Sequence, residues 1–152
     1  RASEELRRIA HNMMPQSLAK FGLITALEDL CDDINFAGKM EVVFQHFDVD
    51  DTQVAAINLA VYRLVQELLN NVVKHAEATE VTLQLSQNAT TLFVTVEDNG
   101  KGFDLEKALA KKGHGLSNLR SRVESLNGEL EIDARPKEGT SVQIQLPINR
   151  GD

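Results

Sequence analysis

Between Thr52 and Ala76 apolar residues recur at helical spacing, at Ile57, Val61, Leu64, Leu68 and Val72, and directly afterwards the apolar period falls to two. That switch limits the possible folds more than any other feature of the chain. A long amphipathic helix needs an apolar surface to cover. Val81, Leu83 and Leu85, then Leu92, Val94 and Val96, then Val142, Ile144 and Leu146 alternate with polar residues, as strands with one buried face do. Leu130 and Ile132 add a shorter strand, and residues 40–47 read as another ahead of the long helix. Runs of strands with few helices between them favour an α+β sandwich, with helices on one face of a mixed sheet, over a doubly wound parallel fold.

The rest of the chain adds helices. Residues 3–14 read as a helix stopped by Pro15, whose ring removes a donor and restricts the residue before it. Residues 16–36 read as a second, with Leu23, Ala26, Leu27, Leu30 and Ile34 on one stripe and Gly38 as the stop. A glycine-rich segment, 98–115, leads into an amphipathic helix over 116–126 that Asn127-Gly128 should end. With 152 residues, 42% of them hydrophobic, the chain can fill one ordinary core. No apolar run is long enough to span a bilayer and no signal-peptide pattern appears. The start at Arg1 suggests a fragment of a longer protein. Cys31 is the single cysteine, so no internal disulfide forms and a reducing, cytoplasmic setting fits. A net charge of -7 offers no broad attraction for nucleic acid or anionic lipid, so an anionic ligand would need a local site.

Four local patterns could build one. At 100° per residue, Arg63, Glu67, Asn70, Asn71 and Lys74 share a sector of about 100° of the long helix, beside its apolar stripe. This can be a solvated face. It also sets an amide oxygen beside a carboxylate, a hard-oxygen pair suited to Mg²⁺ that bridges phosphates. Asp98-Asn99-Gly100-Lys101-Gly102-Phe103 follows a strand end, and reads either as a turn or as a carboxylate reaching a cleft where glycine allows close approach. Gly113-His114-Gly115-Leu116 enters a helix whose first free N–H groups can hold phosphate, though a plain helix-entry loop has the same look. Glu138-Gly139-Thr140 alone reads as a turn before the last strand. The histidines and Cys31 show no zinc spacing, and no P-loop is present.

Taken in order, these patterns resemble the N, G1, G2 and G3 boxes of the GHKL ATPases, the superfamily of histidine kinases, gyrase-type topoisomerases and Hsp90. Gln66-Glu67-Leu68-Leu69-Asn70-Asn71-Val72-Val73-Lys74-His75-Ala76 is similar to a histidine-kinase N box. The likeness covers about residues 40–148, and the short 102–113 lid resembles the kinase group that signals to NarL-type response regulators. It implies the Bergerat ATP-binding fold, a two-layer sandwich of a mixed, mostly antiparallel sheet backed by about three helices, and the cofactors ATP and Mg²⁺. It also implies roles. Glu67 would be catalytic, orienting or activating the reacting groups, and Asn71 would hold the metal. Lys74 and His75 match the same box. Asp98 would accept from the adenine amino group with Thr140 nearby through water, while Gly100 and Gly102 would shape the base pocket. Gly113, Gly115 and Leu116 would bring the lid to the triphosphate.

The expected partners are the dimerisation and phosphoacceptor hairpin of the parent kinase and, beyond it, a response regulator, with no nucleic acid and no membrane contact by this fragment. The alternative within the superfamily is a nucleotide-dependent interaction module or an anti-sigma-factor serine kinase. His11-Asn12-Met13-Met14-Pro15-Gln16 superficially resembles a His-Asp-x-x-x-Gln acceptor, with Asn in place of the acid. The interval to Glu67 is too short for a complete hairpin and Pro15 breaks the helix, so residues 1–38 are expected to be the end of a dimerisation helix and its linker. Residues 39–152 would form the ATP-binding domain, the acceptor histidine lying outside the fragment.

Overall fold

The computed structural model describes residues 15–38, 40–102 and 115–148, with the side chains of 115–117 left aside. The expected helix over 3–14 with His11, and the lid residues 103–114 with Gly113, lie outside the described residues.

The stretch expected as one helix over 16–36 is two, α1 (Gln16–Phe21) and α2 (Leu23–Ala37). Gly22 separates them at φ +89, a left-handed conformation that glycine takes without a Cβ penalty. A side chain there would also come within 2.9 Å of the Asp51 carboxyl group. The break lets Leu18 and Leu23 both bury themselves, and α2 then continues the stripe with Ala26, Leu27 and Cys31 before ending at Gly38.

After β1 (Glu41–Phe47) the chain makes turns until α3 (Asn58–Asn71), so the long helix starts six residues later than its pattern suggests. Asp50 is the reason. Its carboxylate accepts the Thr52 N–H at 2.9 Å and the Thr52 hydroxyl at 2.6 Å, and its carbonyl accepts from Gln53 and Val54. These local bonds compete with the helix for the same donors. At the other end the helix widens into a π turn, Val72–Ala76, closed by Glu77 at φ +53.

The strands β2 (Glu80–Gln87), β3 (Thr91–Asp98), β4 (Glu129–Ala134) and β5 (Thr140–Pro147) complete a sheet in the order β1-β2-β3-β5-β4. Only β1 and β2 run parallel, which makes the sheet mixed and mostly antiparallel, as expected. Val81, Leu83, Leu85, Leu92, Val94, Val96, Val142, Ile144 and Leu146 are all buried on one face. Each such side chain taken out of water stabilises the fold by about 1.5–3 kcal/mol. Among the described residues three helices cover that face: α2 beside β1, α3 over β3 and α4 (Gly115–Ser125) beside β4, while α1 packs on α2. The other face carries Gln45, Glu97, Gln143 and Gln145 to solvent. Edge strand β4 sends Glu129, Glu131 and Asp133 the same way, charges that discourage pairing with another chain.

Candidate functional site

On α3 the apolar side is settled by Val61, Leu64, Val65, Leu68 and Leu69, all buried. Glu67 and Asn71 follow one turn apart on the flank, Glu67 half-buried and Asn71 exposed without a hydrogen-bond partner among the described residues. Lys74 and His75 sit in the π turn, both exposed. A register of i→i+5 there means their direction does not follow from 100° per residue, so the single polar sector drawn from the sequence holds only as far as Asn71.

Glu67 has a partner that sequence spacing does not reveal. Arg122 of α4 donates from Nη1 to Glu67 Oε2 in a partly buried ion pair across 55 positions. Leu119 and Val123, buried one turn apart on α4, hold the helix that carries it.

At the sheet end, the β3–β5 register pairs Asp98 with Thr140. Both continue the alternation that buries Val96 and Val142, so they face the helix layer. Asp98 Oδ1 accepts the Gly100 N–H at 2.8 Å, and the Thr140 backbone N–H also reaches the carboxylate. Desolvation outweighs these donors and raises the carboxyl above its ordinary value.

The loop after Asp98 is fastened to the end of α3 by main-chain atoms. Lys101 N–H donates to the Ala76 carbonyl at 2.7 Å, and Asn99 N–H to the Glu80 carbonyl at 3.2 Å. Asn99 Oδ1 takes the N–H groups of Thr79 and Glu80 at 3.0 Å each. A Cβ on Gly100 would collide with the Ala76 carbonyl oxygen, and one on Gly102, at φ +64, with the carbonyl of Arg135. Both glycines are therefore needed for close backbone approach.

Among the described residues, Gly115 and Leu116 are the first two of α4. A cleft of about 380 Å³ also opens beside Asp98 and Thr140. Its other acidic walls, Glu97, Asp133 and Glu138, make it a poor seat for a triphosphate, and Glu97 and Asp133 belong to the open face of the sheet. Among the described residues no cluster of His, Cys, Asp or Glu could hold a metal alone, and no helix is long and apolar enough to cross a membrane.

Residues 56–150 match the family described as histidine kinase-, DNA gyrase B-, and HSP90-like ATPases, and the chain belongs to that family. Within it the chain corresponds to the ATP-binding catalytic domain of two-component sensor kinases. It is 34% identical over 145 residues to the histidine-protein kinase/phosphatase DegS of Brevibacillus brevis, covering 95% of this chain and 37% of DegS. It is 30% identical over 149 residues to the sensor protein VraS of Staphylococcus haemolyticus, covering 97% of this chain and 42% of VraS. The chain thus spans less than half the length of these relatives. The blue-light activated histidine kinase of Erythrobacter litoralis EL346 superposes with a TM-score of 0.65 at 29% identity, covering 83% of this chain and 45% of that one.

Proposed function

We propose that this domain binds Mg-ATP between α3 and the Asp98 loop and passes the γ-phosphoryl group to a histidine on a helical hairpin of the parent kinase, which then serves a response regulator. The observation that carries the proposal is the main-chain fastening of the Asp98 loop to Ala76. It joins the carboxylate that would read adenine to the helix that would hold the phosphates.

The residues present fit that ligand. Asp98 is half-buried and carries carboxylate lone pairs beyond those used by Gly100 and Thr140, so it can accept from the adenine amino group, with Thr140 beside it to hold a water. Gly100 and Gly102 keep that end of the site narrow. Asn71 offers an uncommitted amide oxygen to the metal, which suits an ion that keeps waters and leans on phosphates rather than on a protein cage. Lys74 and His75, three and four residues on, are exposed for phosphate contact, and the first N–H groups of α4, at Gly115 and Leu116 after Gly113 in the chain, suit the same charge. When bound, Mg-ATP supplies the phosphoryl group and the ion that offsets its oxygen charge.

Glu67 would accept the N–H of the incoming imidazole, which leaves the other ring nitrogen free to attack in line. We further propose that residues 1–38 join hairpin to domain, with α2 as the anchor, since Leu23, Ala26, Leu27 and Cys31 lie in the core shared with the sheet.

Calorimetric titration with a non-hydrolysable ATP analogue tests the metal. Asn71→Ala should weaken binding far more in Mg²⁺ than in EDTA, and equal losses would make Asn71 merely structural. Labelled Mg-ATP should leave no acid-labile phosphate on the chain itself but should label an added His-Asp-x-x-x-Gln hairpin. Stoichiometric label abolished by His11→Gln would overturn the assignment.

A further inference from the structure

We infer that Arg122 is a positioning residue for Glu67: from α4 it holds one carboxylate oxygen so that the other faces the acceptor imidazole. This rests on the role proposed for Glu67.

A half-exposed glutamate with three rotatable bonds samples several rotamers unless something fixes it. Here Arg122 Nη1 donates to Oε2, and Oε1 has no donor among the described residues. One oxygen is held and the other is left to accept a proton. A guanidinium suits this task because it stays charged and donates from a planar fork.

A plain structural tie between two helices is the competing account, and the packing argues against it. Leu119 at 3% exposure and Val123 at 0% already fix α4 against the core. The pair sits at the rim of that contact, with side-chain exposures of 42% for Arg122 and 30% for Glu67, where an ion pair adds little to stability. Arg135–Asp133, at 3.9 Å with both side chains more than 70% exposed, shows what an incidental surface pair looks like in the same molecule. The Glu67 pair differs from it in burial, in the span of 55 positions it bridges, and in ending on the carboxylate closest to Asn71 along α3. It also makes that carboxylate's geometry depend on α4, the helix that follows residues 103–114. A shift of α4 would therefore move the group that holds Glu67.

The test uses residues 1–152 with a separate acceptor hairpin, and compares wild type, Arg122→Gln, Arg122→Lys, Glu67→Gln and the double variant Glu67→Gln/Arg122→Gln. In Arg122→Gln, kcat should fall on the order of tenfold to a hundredfold, the scale of a misplaced catalytic group. The KM for ATP and the affinity for a non-hydrolysable analogue should stay within about threefold. On the Glu67→Gln background the same change should alter kcat by less than about twofold, because its partner's charge is already gone. Arg122→Lys should recover part of the loss. Equal losses on both backgrounds would overturn the inference, and so would a tenfold-weaker analogue affinity, which would mean Arg122 reaches the phosphates.

Side-chain couplings of Glu67 measured by NMR report its order without any turnover. They should show one rotamer in wild type and averaging in Arg122→Gln. Averaging already present in wild type would overturn the positioning role. A wild type with one rotamer but no transfer to the hairpin would instead refute the phosphotransfer reading and leave the positioning itself standing.

Discussion

Replacing Asp98 with Asn separates what this carboxylate does for binding from what it does for folding. The change keeps Oδ1, which accepts the Gly100 N–H at 2.8 Å and has a second lone pair for the Thr140 N–H, and it removes the charge and one acceptor oxygen. If the carboxylate accepts from the adenine amino group, Asn turns that acceptor into an NH₂ facing another NH₂. A hydrogen bond to a charged group contributes about 1.5–3 kcal/mol, so affinity for ATP should fall on the order of tenfold to a hundredfold. An inosine nucleotide, with a carbonyl oxygen at the same place, should lose much less. Stability should move the other way. Burial raises the Asp98 carboxyl, so its folded value lies above its unfolded one. Its favourable contribution is then present below the unfolded value and lost as pH rises through the folded one. At neutral pH the ionised group is a net cost to folding, and Asp98→Asn should melt higher than wild type, with the gap closing as pH is lowered through the carboxylate range. Calorimetric titration and thermal unfolding on the same samples give both numbers. A variant that binds ATP as tightly as wild type, or one that melts lower at neutral pH, would refute the reasoning.

Two further outcomes follow from packing. Gly100→Ala should cost about 1–3 kcal/mol of stability in thermal unfolding and weaken ATP binding, because the new Cβ can be seated only by moving the loop off the Ala76 carbonyl. The Cys31 thiol, pushed up to about 12 by burial and then by Asp32 and Glu28, should react with iodoacetamide on the order of a hundredfold slower in the native protein than after unfolding. Equal rates would mean α2 is not packed as described.

The sheet was readable because one face of it is covered. Alternation along β2, β3 and β5 is the direct trace of a single buried side, and the helix layer follows from the need to cover it. What escaped was local competition and long-range pairing. The Asp50 turn removes six residues from the start of α3, although the apolar spacing there still fits a helix. Gly22 breaks a continuous stripe through backbone geometry that apolar spacing does not register. The π turn changes the period for only five residues, too few to register as a pattern. In the candidate site, Glu67, Asn71 and Asp98 are proposed from residue type and order. The pairing of Asp98 with Thr140 needed the strand register, and that of Glu67 with Arg122 needed two helices brought together from 55 positions apart.

The fastening of the Asp98 loop has one more consequence. Lys101 meets its neighbours through its N–H to Ala76 and its carbonyl, which accepts from the N–H of Lys137, so its side chain takes no part in these joints. The exposed side chains at 101 and 137 are thereby decoupled from the backbone joints of the Asp98 loop. If adenine binds beside Asp98 as proposed, a fluorophore carried on a cysteine at either position would report nucleotide arrival while the loop backbone kept its own bonds.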